Sequence, residues 1–252
     1  MANLWGITDS DLRVAIGAIL ALGALLTGWR THRETLWRLM LATACAFGLV
    51  ALINVGMYSN HRPFNTPTMA LAAVGIATGL WGLVHGPLNR LSEVLHALAV
   101  ALGLGAFLLG PIVTWPGAHR RGLFFGLAEI AYILASAALW HGVISSVAFR
   151  HNRLGATTRS ASGAALLLLT VSLLLYGIGA QWAWGAYWSW EPFACWWLAT
   201  WLAVAIAASG SQHLGWASRC AVFALWLAAG FALLVLLGSL SLVQWLGLNG
   251  QY

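Results

Sequence analysis

The sequence predicts an all-α integral membrane protein, a bundle of about eight transmembrane helices with a tryptophan-rich loop on the outer face between helices six and seven. Hydrophobic residues make up 61% of the 252 positions and charged residues only 7%, whereas a soluble domain carries roughly 25% charged residues. The apolar residues gather in runs near 20 residues long, the length that an α-helix needs to cross a bilayer. The connecting segments are short, so we expect residues 1–252 to form a single membrane domain.

Eight apolar runs account for the predicted helices. The first run, 12–29, follows Asp9 and Asp11 rather than a basic segment, so it predicts an uncleaved first helix and not a signal peptide. The other seven are of comparable length and are read as spans on the same ground. They lie at 39–58, 67–86, 92–114, 122–148, 162–180, 193–209 and 217–244.

The basic residues predict the orientation of these helices. All twelve are arginine, and they are spread thinly between the apolar runs, which argues against nucleic-acid binding. With the N-terminus outside, eight arginines fall in inner segments and four in outer segments, as the positive-inside rule requires. The inner set is Arg30, Arg33, Arg38, Arg90, Arg150, Arg153, Arg159 and Arg219, and the outer set is Arg13, Arg62, Arg120 and Arg121. Both termini and the loop between helices six and seven are then on the outer face.

That loop and the start of helix seven form the most informative part of the sequence, the tryptophan-rich segment 181–201. Seven tryptophans lie in its last twenty residues, whereas an ordinary interfacial belt places only a few at a helix end. Stacked aromatic rings suit a large flat ligand, with a porphyrin as first candidate and a quinone head as second. The other interpretation is an interfacial helix packed against its neighbours. The predicted ligand platform consists of Trp182, Trp184, Tyr187, Trp188, Trp190 and Glu191.

The string WAWGAYWSWEPFACWWLATWL, residues 182–202, resembles the WWD signature of the cytochrome c assembly proteins of the CcsA and CcmC type. Weaker similarities to that family occur in its order along the chain, in RPFNTPTMAL (62–71), HLGWASR (213–219) and WLGLNGQY (245–252). Together they cover most of the chain from about residue 40 onward.

The resemblance implies a multi-pass protein of the bacterial inner membrane that handles haem b during cytochrome c maturation. The tryptophan-rich segment would hold haem on the outer face, histidines would be its axial ligands, and apocytochrome c would receive it. The family's ligand histidines, however, fall here on Asn249, on Ser209 and near Phe124, and the signature's aspartate is Glu191. The alternative is therefore a ligand-depleted relative that serves as a structural or quinone-facing subunit of a respiratory or photosynthetic redox complex.

The remaining histidines offer two candidate pairs of axial ligands. His61 and His119 lie in outer segments, on the side of the tryptophan-rich loop. His96 and His141 lie in the inner halves of helices four and five, at similar depth, where two imidazoles could hold a b-type haem. The other interpretation is that His96 and His141 are polar groups bonded to neighbouring helices.

Glu129 is the most informative carboxylate, since it lies about two turns into helix five from the outer side. A carboxylate at that depth is costly and tends to face a bundle interior or a pathway. It is therefore predicted to be a proton- or quinone-linked group, with a neutral carboxyl bonded to a neighbouring helix as the alternative.

The sequence contains no paired-carboxylate site, no nucleophile–base pair and no metal-ligand spacing such as HxxxH. It therefore predicts a haem-binding or structural subunit rather than an enzyme with its own side-chain chemistry, and no metal other than haem iron. Its expected partners are membrane lipid and either other membrane subunits or apocytochrome c.

Overall fold

A computed structural model of the chain describes residues 9–30, 34–58, 67–86, 89–108, 123–148, 156–188, 192–210 and 216–236. These ranges form eight α-helices and contain no β-strand, which confirms the all-α prediction. The helices are α1 (Asp9–Arg30), α2 (Glu34–Tyr58), α3 (Pro67–His85), α4 (Arg90–Leu108), α5 (Leu123–Ala148), α6 (Ala156–Trp184), α7 (Pro192–Gly210) and α8 (Trp216–Leu236).

Six of these helices are long and apolar enough to cross a membrane, as a multi-pass membrane protein requires. They are α2, α3, α4, α5, α6 and α8. The apolar stretch of α7, Ala194–Gly210, is shorter. The prediction of eight spans, and of which face each end occupies, stays a prediction.

The helices group into two compact units. The first unit contains α1 to α4 and the end of α5, from Ile144 onward. The second unit contains α5 up to Val143 together with α6, α7 and α8. That the whole chain forms a single membrane domain stays a prediction.

In the first unit, α3 and α4 pack closely through glycine. A Cβ atom added at Gly75 would lie 2.7 Å from the Ala99 carbonyl oxygen, and one added at Gly103 would lie 2.8 Å from the Leu71 carbonyl oxygen. The two glycines also face each other, at 3.2 Å from each added Cβ to the other's Cα. Small residues allow this because helices in a membrane associate through close backbone packing and not through the hydrophobic effect.

Two side chains fix the start of α4. The Asn89 Oδ1 atom accepts a hydrogen bond from the Ser92 N–H at 2.9 Å, the geometry of a helix N-cap. The Asn89 Nδ2 atom donates to the carbonyl of Ala148, the last residue of α5, at 2.8 Å. The buried Trp37 indole of α2 donates to the Glu93 carbonyl at 3.1 Å, which ties α2 to the same turn.

In the second unit, α5 and α6 run antiparallel along most of their lengths. The ring of Phe125 lies against Gly179, the buried Ser172 hydroxyl donates to the Ala128 carbonyl at 2.6 Å, and Ala161 lies against Gly142. The residue numbers on α5 rise as those on α6 fall, which is the signature of antiparallel packing. Leu225 of α8 also lies against Gly142, so three helices meet there.

The sequence prediction ended the sixth helix too early. It placed that helix at 162–180 and put Trp182 and Trp184 in the following loop, whereas α6 runs from Ala156 to Trp184. The apolar run ends near 180, but no residue that stops a helix occurs before Gly185. Both tryptophans therefore lie in the last turn of α6.

Candidate functional site

Gly185 ends α6. Its φ angle is +72°, in the left-handed region that residues with a Cβ rarely adopt. Its N–H donates to the Gln181 carbonyl at 3.0 Å, which matches the helix C-cap in which one left-handed residue closes the last turn. Sequence reasoning assigned Gly185 to close approach of a ligand, and the structure gives it a role in ending the helix.

We expect Gly185→Ala to destabilise the protein by about 1 kcal/mol, because alanine pays the left-handed conformational cost. No heavy atom lies within 4 Å of an added Cβ at this position, so the effect isolates the backbone angle. Thermal unfolding in detergent measures it. Gly163→Ala is the matched control, because Gly163 is also without a close neighbour but lies inside α6. There alanine should stabilise by about 0.5–1 kcal/mol. Two shifts of the same sign would contradict this account.

After Gly185 the chain folds back along α6. The carbonyl oxygen of Tyr187 lies against Gly177, where an added Cβ would be only 3.3 Å away. The ring of Trp188 reaches Tyr176, with ring centroids 5.8 Å apart in an edge-to-face arrangement. The lack of a side chain at Gly177 lets the returning chain approach the helix, and this brings Trp188 onto residues buried below it.

Tyr176 is the centre of a buried aromatic cluster, which we define as Phe125, Tyr132, Tyr176, Trp188 and Trp197. The Tyr176 ring contacts Phe125 of α5 at 5.7 Å and Trp197 of α7 at 5.4 Å, measured between ring centroids. Trp197 in turn meets Tyr132 of α5 edge-to-face at 4.8 Å. Such pairs each contribute about 0.5–1.5 kcal/mol beyond the area they bury. The cluster therefore joins α5, α6 and α7 at the end of the unit where α6 terminates.

Three further rings stand on this cluster and are open to the surroundings. Trp182 is 81% exposed, Tyr187 69% and Trp184 40%, and we call them the exposed rings. Trp184 connects them to the cluster, with ring centroids 5.5 Å from Phe125 and 6.5 Å from Tyr176. Trp182 packs on Phe124 at 6.1 Å. The exposed rings thus present aromatic surface on a base that packing holds in place.

Not every tryptophan of the segment belongs to this surface. Trp197 is buried in the cluster. Trp196 packs on Phe231 of α8, and the Trp201 indole donates to the Thr170 hydroxyl of α6 at 2.9 Å. These three side chains join helices. Trp190 and Glu191 of the predicted platform lie outside the described residues.

The predicted axial ligands are placed as follows. His61 and His119 lie outside the described residues. His96 lies on α4 in the first unit and His141 on α5 in the second, and both are fully buried. The Nδ1 atom of His96 donates to the Ser92 carbonyl at 2.7 Å, and its ring packs on Gly82 of α3. This bond fixes the orientation of the His96 ring.

His141 is remote from the exposed rings. It follows Phe125 by sixteen residues on α5, a separation of about 24 Å at the helical rise. Among the described residues of the second unit, His141 is the only histidine. The described part of that unit therefore offers no imidazole beside the aromatic surface.

Glu129 is half-buried on α5. It shares a helix face with Phe125 and Tyr132, at positions i+4 and i−3 from them, so it belongs to the side of α5 that carries the cluster. Tyr132 itself lies 3.5 Å from the Thr200 hydroxyl of α7, oxygen to oxygen. A carboxyl group and a phenol thus lie on the aromatic side of α5.

Sequence reasoning missed Phe125, Tyr132 and Tyr176 as parts of the site. The available signal was that α7 places Ala194, Trp197 and Thr200 on one helix face, small and polar residues that mark a packed side. Within the described ranges, no group of three or more His, Cys, Asp or Glu side chains is arranged to hold a metal ion.

No model of a known protein family matches the chain, and none of the curated proteins matches it. The assignment to the cytochrome c assembly type therefore depends on the tryptophan-rich segment and remains a hypothesis.

Proposed function

We propose that the protein holds a large planar hydrophobic molecule, haem b first, against the exposed rings, as a CcsA-like haem-handling protein of cytochrome c maturation does. The observation that carries the proposal is the contrast between the rings. Trp182 and Tyr187 are mostly exposed, while Tyr176 and Trp197 beneath them are buried. A rigid base under open rings provides aromatic area at little conformational cost, which suits stacking with a macrocycle.

The described residues fit the face of a haem but supply no axial ligand for its iron, which is most often an imidazole. Trp182, Trp184 and Tyr187 would hold the ring, and an axial ligand would come from His119 or His61. When bound, haem would supply the thioether chemistry, and the protein's own residues would hold and orient it. Trp190 and Glu191 belong to the same proposal.

The orientation of the site follows the positive-inside prediction. The exposed rings would lie at the outer face of a bacterial inner membrane, together with both termini. Apocytochrome c would then meet the bound ligand outside the cytoplasm.

The experiment is haem binding by the purified full chain, followed as a Soret band during titration. We expect the double variant Trp182→Ala/Tyr187→Ala to bind haem at least tenfold more weakly, since two aromatic contacts together are worth roughly 1–3 kcal/mol. Trp29→Ala is the matched control, because Trp29 is 66% exposed but lies on α1 in the first unit. It should bind haem like the wild type. Equal loss in both variants would mean that any exposed tryptophan binds haem nonspecifically.

A second candidate function is a structural or quinone-facing subunit of a membrane redox complex. It is favoured by the 24 Å or so between His141 and the cluster, and by Glu129 on the cluster side of α5. A carboxyl group beside aromatic rings suits a quinone head, whose carbonyls need a hydrogen-bond donor. The same purification separates the two functions. No Soret band with added haem, together with stoichiometric cytochrome or iron–sulfur subunits, would favour the second function over the first.

A further inference from the structure

The opposite end of α6 carries a separate feature. The first turn of any α-helix leaves N–H groups without an intrahelical acceptor, and the helix dipole makes this end partially positive. In α6 that turn starts at Ala156, and Gly155, which precedes it, has no side chain with which to cap it.

Thr158 lies in this first turn and is an anomaly. The residue is fully buried, and among the described residues its hydroxyl has no hydrogen-bond partner. Each Cα–Cβ bond in a helix tilts toward the N-terminus, so the Thr158 side chain is directed toward the open N–H groups. Buried polar atoms in proteins are almost always paired, so an unpaired one beside an open helix end points to a group that binds there.

The charge around this turn favours an anion. Arg159 is exposed beside Thr158, and the sequence places Arg150 and Arg153 shortly before the helix. No acidic residue occurs between Glu129 and Glu191.

A second arginine lies at the same end of the unit. Leu225 of α8 and Ala161 of α6 both lie against Gly142, so the first turns of α6 and α8 are at the same end. The first turn of α8 carries the exposed Arg219. It adds positive charge on the side where an anion would approach.

We infer that the first turn of α6 binds a phosphate group through its open N–H groups, the Thr158 hydroxyl and the Arg159 guanidinium. Helix N-termini are established phosphate sites, and basic residues at the ends of membrane helices attract anionic headgroups. The phosphate belongs either to an anionic phospholipid or to free phosphate in solution. This site lies at the other end of α6 from the exposed rings and does not depend on the proposed function.

The test is retention of phosphatidylglycerol relative to phosphatidylcholine by the full chain, measured by native mass spectrometry. Arg159→Gln should weaken the preference about fivefold, the value of one arginine near an anionic headgroup. Thr158→Val should lower it in the same direction. Because the Thr158 hydroxyl has no internal hydrogen bond to lose, this variant should melt no lower than the wild type.

Two variants serve as matched controls. Arg90→Gln removes an exposed arginine from the first turn of α4, where Asn89 already caps the helix. Thr43→Val removes a hydroxyl that is bonded within its own helix, to the Leu39 carbonyl at 2.8 Å. Both should keep the wild-type preference for phosphatidylglycerol.

A wild type that retains both lipids equally would overturn the proposal, as would Thr158→Val and Arg159→Gln variants that behave like their controls. Inorganic phosphate is the second probe. Displacement of the retained phosphatidylglycerol by millimolar phosphate would support a site for free phosphate, and its failure to displace would support a lipid headgroup site.

Discussion

Gly103→Leu should prevent α3 and α4 from reaching their native distance and should destabilise the protein by about 3 kcal/mol, the upper part of the range for overpacking a closed interior. A Cβ at this position meets the Leu71 carbonyl oxygen at 2.8 Å and the Gly75 Cα at 3.2 Å. Both are backbone atoms, so no side chain can rotate to make room. The measurement is the midpoint of unfolding in detergent, together with the yield of monodisperse protein.

Gly105→Leu is the matched control on the same helix. It adds the same side chain two residues away, where an added Cβ has no heavy atom within 4 Å. We expect its midpoint to stay close to that of the wild type. If both leucine variants lose the same stability, then lower glycine content, and not the close approach of α3 and α4, explains the result.

Trp197→Ala should cost about 3–5 kcal/mol, the usual loss when a buried tryptophan is removed from a packed core. The side chain is 1% exposed and contacts Tyr176 of α6 and Tyr132 of α5, so its removal leaves a cavity where three helices meet. Unfolding followed by far-UV circular dichroism measures the loss. Near-UV circular dichroism should weaken as well, because the edge-to-face pairs that Trp197 makes would be gone.

Trp226→Ala tests whether burial is the cause. Trp226 is 46% exposed on α8 in the same unit, so its removal leaves no internal cavity. Surface substitutions of this kind usually change stability by less than about 0.5 kcal/mol. Similar losses in the two variants would contradict the assignment of Trp197 to the buried cluster.

The helices were predictable from the sequence because apolar runs of spanning length leave few other structures open in a membrane. The end of α6 was not predictable from hydropathy, because the apolar run stops near 180 while the helix continues to Trp184. The signal was Gly185, the first residue after the run that readily adopts a left-handed conformation. Turn chemistry, and not apolarity, sets this boundary.

The division of the tryptophans into buried and exposed sets was harder to predict. Lipid-facing and interior-facing positions of a membrane helix are both apolar, so the usual contrast between polar and apolar faces is absent. Trp182 and Trp197 look alike by composition, yet one is 81% exposed and the other 1%. Only Ala194 and Thr200, each one turn from Trp197 on α7, distinguish the packed face.

The intramembrane histidines show the same limit. A histidine in an apolar run is expected to face the protein interior, and both His96 and His141 are fully buried. Spacing along the chain does not say what either side chain binds. Their role as axial ligands therefore stays a prediction.

The bond from Asn89 to Ala148 has a consequence for biosynthesis. A ribosome delivers α1 to α4 first, yet Asn89 finds its carbonyl acceptor only after the last residue of α5 has been made. Until then, the turn before α4 needs another acceptor, such as water, a lipid headgroup or an insertion factor. The first unit therefore matures only after a helix that mostly belongs to the second unit has entered the membrane.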